Sequence, residues 1–128
     1  MRVNDPDAEE QERRRRLQER VAYAKNYDRY VLREIDAERE RQIVSEGWTP
    51  EHDDGHDRGE LARAAGCYAL HAGLPERAQV AAGYAPSDWW PWDTAWWKPK
   101  DRRRDLVRAA ALIVAEIERL DRAAAPKP

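Results

Sequence analysis

The sequence predicts an all-α fold, a small orthogonal helical domain of three to four main helices with a long Trp- and Pro-rich loop. Three observations carry this. No segment alternates apolar and polar residues over more than a few positions, as a half-buried strand would. Apolar residues instead recur at helical spacing in three separate stretches. Between them, Gly and Pro fall where helices end rather than inside them.

The first stretch, Ala8 to Glu46, is nearly free of Gly and Pro, and Gly47 is placed to end it. Leu17, Val21, Ala24, Val31, Ile35 and Ile43 approximate one stripe, with Asn26, Tyr27 and Asp28 as an irregularity or a fresh N-cap. Its 12 acidic and 11 basic residues through position 46 alternate at helical spacing, as in Glu34, Glu38 and Arg41, which describes a solvated helical face. The next helix is "RGELARAAGCYALHA", Arg58 to Ala72, capped by Asp57 and closed by Gly73. It would bury Leu61, Ala64 or Ala65, Tyr68 and Leu70. Pro75, Pro86, Pro91 and Pro99 make the following stretch mostly loop, with one short helix near Glu76 to Ala82. The last helix starts near Pro99 or Lys100 and runs to about Arg122. Leu106, Ala110, Ile113, Ile117 and Leu120 form its stripe, and its "AALIVA" segment, apolar all round, marks the most buried element.

These elements divide the chain into a charged N-terminal helical extension, 1–27, whose first residues fray, a single all-α domain, 28–122, and a tail, 123–128. At 128 residues there is enough chain for one core and no more. That core is short of large side chains, because 21 Ala stand against 19 Val, Ile and Leu. Aromatics must supply part of it.

A formal net charge of -2 argues against general nucleic-acid binding. A single cysteine, Cys67, excludes an internal disulfide, suits a reducing cytoplasm, and reads as a small buried hydrophobe. No apolar run approaches the ~20 residues of a membrane span, and the N-terminus has no hydrophobic signal region. A soluble cytoplasmic protein without a membrane role is expected.

Two segments could carry chemistry. "EGWTPEHDDGHDRGEL", Glu46 to Leu61, holds six carboxylates and two imidazoles, and His52, Asp53, Asp54, His56 and Asp57 are the ligands it could offer a divalent metal. The alternative is a turn with a helix cap and solvated charge, which needs no metal. The second segment is "DWWPWDTAWW", with five of the six tryptophans, joined to "KPKDRRRDL". Indole faces at Trp89, Trp92, Trp96 and Trp97 stack on heterocyclic bases, while Lys98, Lys100, Arg102 and Arg103, at a helix start, neutralise phosphate. Some of these indoles can instead fill the core. At least two are expected to be partly exposed beside Arg102 or Arg103 in one cleft.

Enzyme templates match only in pieces. His56-Asp57 fits part of a histidine-aspartate phosphohydrolase pattern. Glu118 to Asp121 fits one half of the E-x-x-E and E-x-x-D carboxylate set of α-helical nucleotide pyrophosphohydrolases, whose other half falls at Glu9 to Glu12. Cys67, Ser45 and Ser87 lack a triad context.

In order, "ERERQIVSEGWTPEHDDGH" and then "WKPKDRRRDLVRAAALI" resemble the RyR domain, the repeat named after ryanodine receptors that also stands alone in bacterial and phage proteins. Glu46-Gly47-Trp48, Asp53-Asp54, His56, Lys98 and Asp101-Arg102 carry the match, which covers roughly Tyr30 to Leu120. The Ala-rich helix Arg58 to Ala72 and the Trp-rich connector depart from the family pattern. The "EGWTPEHDD" and "WPW…WKP" pattern is also similar to small phage-encoded proteins. For stand-alone RyR domains the resemblance implies binding of a nucleotide-derived small molecule without catalysis.

The leading expectation is therefore a phage-type binding module with no cofactor, no catalytic residue and no metal. It would recognise or sequester such a ligand through Trp48, the Trp loop and the basic helix start, with Asp53, Asp54 and His56 on ribose or base. The alternatives are a magnesium-dependent nucleotide hydrolase using the carboxylates of Asp53 to Glu60 and Glu116 to Asp121, or an adaptor whose exposed Trp patch docks on a protein partner. Self-association into a homo-oligomer is compatible with each.

Overall fold

The computed structural model describes residues 5–82 and 88–126, so the expectations resting on Pro86 and Ser87 lie outside the described residues. Among these there are five α-helices, one 3-10 turn and no strand, and no helix is long and apolar enough to cross a membrane. The helices are α1 (Pro6–Glu46), α2 (Pro50–Asp54), α3 (Glu60–Ala72), α4 (Glu76–Ala82) and α5 (Arg102–Ala124), with the 3-10 turn at Thr94–Trp96. The all-α expectation is met, and α4 falls where the short connector helix was expected. Helix α2 was read as loop, because five residues are too few for a periodic signal.

The chain divides into two compact units, Met1–Arg33 and Glu34–Pro128. In the first, α1 runs on through Asn26 to Asp28 without the expected break. Its Leu17 and Val21 are exposed. Its local support is ionic: Glu10 pairs with Arg13 and Arg14, and Glu12 with Arg15 and Arg16, at i,i+3 and i,i+4 spacing.

In the second unit the core lies between α3 and α5. Leu61, Ala64, Ala65 and Tyr68 of α3 pack with Ala109, Leu112 and Ala115 of α5, and Trp97 joins them from the loop. Alanine on both helices permits a close approach, and the rings then fill the periphery. Trp97 stacks on Tyr68 at 4.7 Å, and Trp90 meets Trp97 edge-on at 5.0 Å. Cys67 is buried, as read from the sequence. Leu70, expected inside, is 65% exposed.

The expected stripe of α5 is on the wrong side of the helix. Ile113 is 48% exposed, and Leu106, Ile117 and Leu120 are likewise open, whereas Leu112 is 1% exposed. The reason is polar. Asp105 Oδ1 accepts the Lys100 backbone N–H at 2.8 Å, and Arg108 donates to the Lys98 carbonyl at 2.7 Å and the Tyr68 hydroxyl at 3.2 Å. Both side chains must face inward to make these bonds. The large apolar residues of α5 favour the opposite rotation, so the anchors set the orientation against that preference.

The solvated face expected on α1 also fails in its last turns, where Glu38, Arg39 and Gln42 are buried. Glu38 accepts two bonds from Arg41, both at 2.8 Å, and one each from Arg104 and Gln42. Arg39 pairs with Asp53 and donates to the Trp48 carbonyl at 3.1 Å. Glu34 pairs with Arg103 rather than along its own helix. The ends of the helices depart from expectation at α3, where Gly59 at φ 82° occupies the N-cap position in place of Asp57. Gly47, at φ 74°, ends α1 as expected, with the Trp48 N–H bonding the Gln42 carbonyl.

Two outcomes test this packing. Leu112→Ala should lower stability by about 2–5 kcal/mol, whereas Ile113→Asp should stay folded and within about 1 kcal/mol of the parent, as surface changes do; urea unfolding measures both. The second outcome concerns pH. Burial pushes the Glu38 carboxyl up, but the Arg41 hydrogen bonds and the Arg104 charge outweigh it and hold it below its usual value. Its contribution is therefore present above the ordinary Glu range and lost as pH falls through the lowered value. Asp105 runs oppositely: burial raises its carboxyl, the Lys100 N–H partly offsetting this, so its contribution is present at low pH and fades as pH rises. Glu38→Gln leaves Asp105 in place, so its effect cancels in the difference. The variant should lose about 2 kcal/mol near neutrality, less than a fully buried pair because both arginines reach water. It should also show a flatter acid limb below about pH 5 in thermal melts.

Candidate functional site

The residues around the Trp loop are placed by short local devices. Gly47 reverses the chain out of α1, so Trp48 lies half-buried with its carbonyl held by Arg39. Thr49 caps α2 by accepting from the His52 N–H at 3.2 Å, and this short helix sets His52 and His56 beside each other at 4.8 Å between ring centroids. The α2 carboxylates are tied down at both sides. Asp53 is buried on Arg39, and Asp54 pairs with Arg122 at 2.8 Å, which raises the Arg122 pKa through that hydrogen bond. On the other side of the site, Asp93 Oδ1 caps the 3-10 turn by accepting from the Ala95 N–H at 2.8 Å. The Trp90 indole N–H then bonds the Asp93 carbonyl at 3.1 Å.

Ring contacts link these pieces. His56 meets Trp92 at 5.4 Å, Trp92 meets Trp48 at 5.9 Å and Trp90 at 5.4 Å, and Trp90 continues to Trp97 in the core. Trp92 is thus held by neighbours from three parts of the chain. Such rings cost little further entropy when a ligand covers them.

Two cavities open against this ladder. One, of about 380 Å³, is walled by Trp48, Trp92, Trp96, His52 and His56, with Glu46 and Asp93 also on its lining. The other, of about 300 Å³, shares Trp48, Trp96 and Glu46 with it and is lined also by Arg41, Lys98, Arg108 and Tyr68. The first lies within the roughly 300–1,000 Å³ of small-molecule sites, and the second sits at that lower limit. Their charges differ. The aromatic cavity is lined by two acidic residues and no lysine or arginine, whereas the second has one acidic residue and three cationic ones. Arg41 there is already paired with Glu38 and Glu46, and Arg108 is committed to Lys98 and Tyr68. Lys98 is exposed, with its Nζ 5.8 Å from the Trp96 ring.

The residues singled out in the sequence therefore separate. Trp48, Trp92, Trp96 and His56 come together in the aromatic cavity, and Lys98 lines its neighbour. Trp89 and Trp96 are 69% and 56% exposed, as expected for at least two indoles, while Trp97 is core. Neither Arg102 nor Arg103 lines either cavity. Arg102 donates to the Leu74 carbonyl at 2.8 Å, and Arg103 holds Glu34 through two bonds of 2.6 Å. Lys100 is exposed and lines neither cavity; its backbone N–H serves Asp105. Asp53 and Asp54 line neither cavity, because the arginines of α1 and α5 have claimed them. Glu60 is bonded to His56 at 3.1 Å and Glu116 to Arg119, so two further carboxylates of the hydrolase alternative are also engaged. Among the described residues no group of three His, Cys, Asp or Glu side chains could hold a metal ion.

The sequence reading missed Glu46, Asp93, Arg41, Tyr68 and Arg108 as lining residues, and weighed His52 only as a metal ligand. Arg108 did leave a signal: a lone cation inside the apolar run "LVRAAALI" must find a partner or unbalance the helix. Glu46 and Asp93 left none, since a carboxylate beside a tryptophan is indistinguishable in sequence from any surface acid. Comparison of the chain with protein-family models, with curated proteins and with solved structures finds no match.

Proposed function

We propose that the second unit is a non-catalytic binding module that senses or sequesters a nucleotide-derived small molecule in the cytoplasm. The base would lie against Trp48, Trp92 and Trp96, and the phosphate would reach Lys98. One observation carries the reading: an aromatic cavity and a cation-bearing cavity share the walls Trp48 and Trp96. A ligand that is flat and apolar on one part and anionic on another fits that division. Stacking a base on an indole is worth about 1–3 kcal/mol, and the exposed Lys98 supplies a positive charge beside Trp96. The RyR-domain resemblance of the segments flanking the site supports the same ligand class. Exposure of Trp89, which lines neither cavity, favours the adaptor as the second reading.

Intrinsic Trp fluorescence during titration with cyclic and linear nucleotides tests the proposal. Quenching is expected. Trp96→Ala should weaken it about tenfold or more. Lys98→Ala should weaken nucleoside monophosphates while leaving the corresponding nucleosides unchanged, because only the former carry the charge that Lys98 meets. Absence of quenching by every nucleotide at millimolar concentration would remove the reading and leave the adaptor in its place.

A further inference from the structure

Resting on the nucleotide reading, we infer that the aromatic cavity selects guanine, with Asp93 as the acceptor for the base edge and Glu46 as the acceptor for ribose hydroxyls. The selection follows from which hydrogen bonds the lining can make. An ionised carboxylate only accepts, through two oxygens with about four lone-pair sites. Asp93 spends one oxygen on the Ala95 N–H, and Glu46 spends one on Arg41 at 2.9 Å, so each keeps accepting capacity. No lysine or arginine lines this cavity, and its imidazole donors are His52 and His56, of which His56 already engages Glu60 through Nδ1.

The four bases differ on this point. Guanine presents two adjacent donors, the ring N1–H and the 2-amino group, and so matches both oxygens of a carboxylate. Adenine and cytosine set one amino donor beside a bare ring nitrogen, whose lone pair would face the carboxylate charge. Uracil has one N–H between two carbonyls. Hydrogen bonds to a charged acceptor are about twice as strong as neutral ones, so the difference falls on the stronger class of bond.

The shared walls orient the ligand. In a nucleotide the pairing edge of the base points away from the sugar and phosphate. With the phosphate at Lys98, the edge lies at the far end of the aromatic cavity, and the ribose lies at the boundary of the two. Glu46 lines both cavities, whereas Asp93 lines only the aromatic one. Glu46 therefore belongs beside the ribose hydroxyls, which are donors, and Asp93 beside the base edge.

The experiment compares GMP, IMP, AMP and 2′-deoxy-GMP by calorimetric titration of the full chain and of Asp93→Asn and Glu46→Gln. IMP lacks only the 2-amino group of GMP, so GMP should bind roughly tenfold tighter than IMP, and tighter still than AMP. Asparagine at 93 keeps an oxygen for the Ala95 cap, so the turn survives. It also adds an amide donor for the bare ring nitrogen of adenine. Asp93→Asn should therefore bring the GMP-to-AMP ratio close to one while AMP still binds. Glu46→Gln should shrink the preference for GMP over its 2′-deoxy form and leave the base preference alone. AMP binding as well as GMP to the unaltered chain, or a ratio that Asp93→Asn does not move, overturns this assignment while the nucleotide reading stands. Failure of all four nucleotides to bind overturns both.

Discussion

The hydrogen bonds of Arg108 to the Lys98 carbonyl and the Tyr68 hydroxyl fix more of this structure than any apolar contact does. They require Arg108 to face inward, and this rotates α5 so that Leu112 and the alanines, rather than Ile113, meet α3. They also hold the Lys98 backbone against α3, which presses Trp97 onto Tyr68 and leaves Trp96 at the surface one residue earlier. The Lys98 N–H bonds the same Tyr68 hydroxyl at 3.3 Å, so one phenol organises both the helix and the strand of loop that precedes it. Burying a guanidinium is costly unless its donors are used. Here that cost secures a single arrangement of a core too poor in large side chains to select one by shape alone.

Much of the fold was legible because helix boundaries depend on local chemistry. Gly47 and Gly73 end their helices, and α4 sits between Pro75 and the Trp loop, all as the sequence indicates. What was not legible was orientation. Hydrophobic periodicity locates the apolar stripe of a helix but not whether that stripe is buried; on α5 the stripe of Leu106, Ile113, Ile117 and Leu120 is exposed, and Ala109, Leu112 and Ala115 face the core. Leu70 and Ile113 were misplaced because large residues were expected inside, while on α5 the contact is formed by Ala109, Leu112 and Ala115.

The site was legible in kind and only partly in composition. Aromatic density picked out Trp48, Trp92 and Trp96. Charge density misled, because proximity in sequence to the tryptophans placed Arg102 and Arg103 in the site, while the fold points them at Leu74 and Glu34. The acidic segment was read as a reservoir of ligands for metal or ribose. Asp53 and Asp54 instead clamp α2 between Arg39 and Arg122, and this indirectly positions His52 and His56. Long-range ion pairs of this type leave no local pattern, so their partners emerge only in three dimensions.

The alanine seam between α3 and α5 inverts the usual relation between residue size and evolutionary constraint. Ala64, Ala65, Ala109 and Ala115 are sealed in the interior, and each added methylene there would have to push two helices apart. Leu106, Ile117 and Leu120 face outward and are free to drift toward polar residues without disturbing the core. Lineages descending from this chain would thus keep these alanines together with Leu61 and Leu112, and exchange the outward-facing Leu106, Ile117 and Leu120.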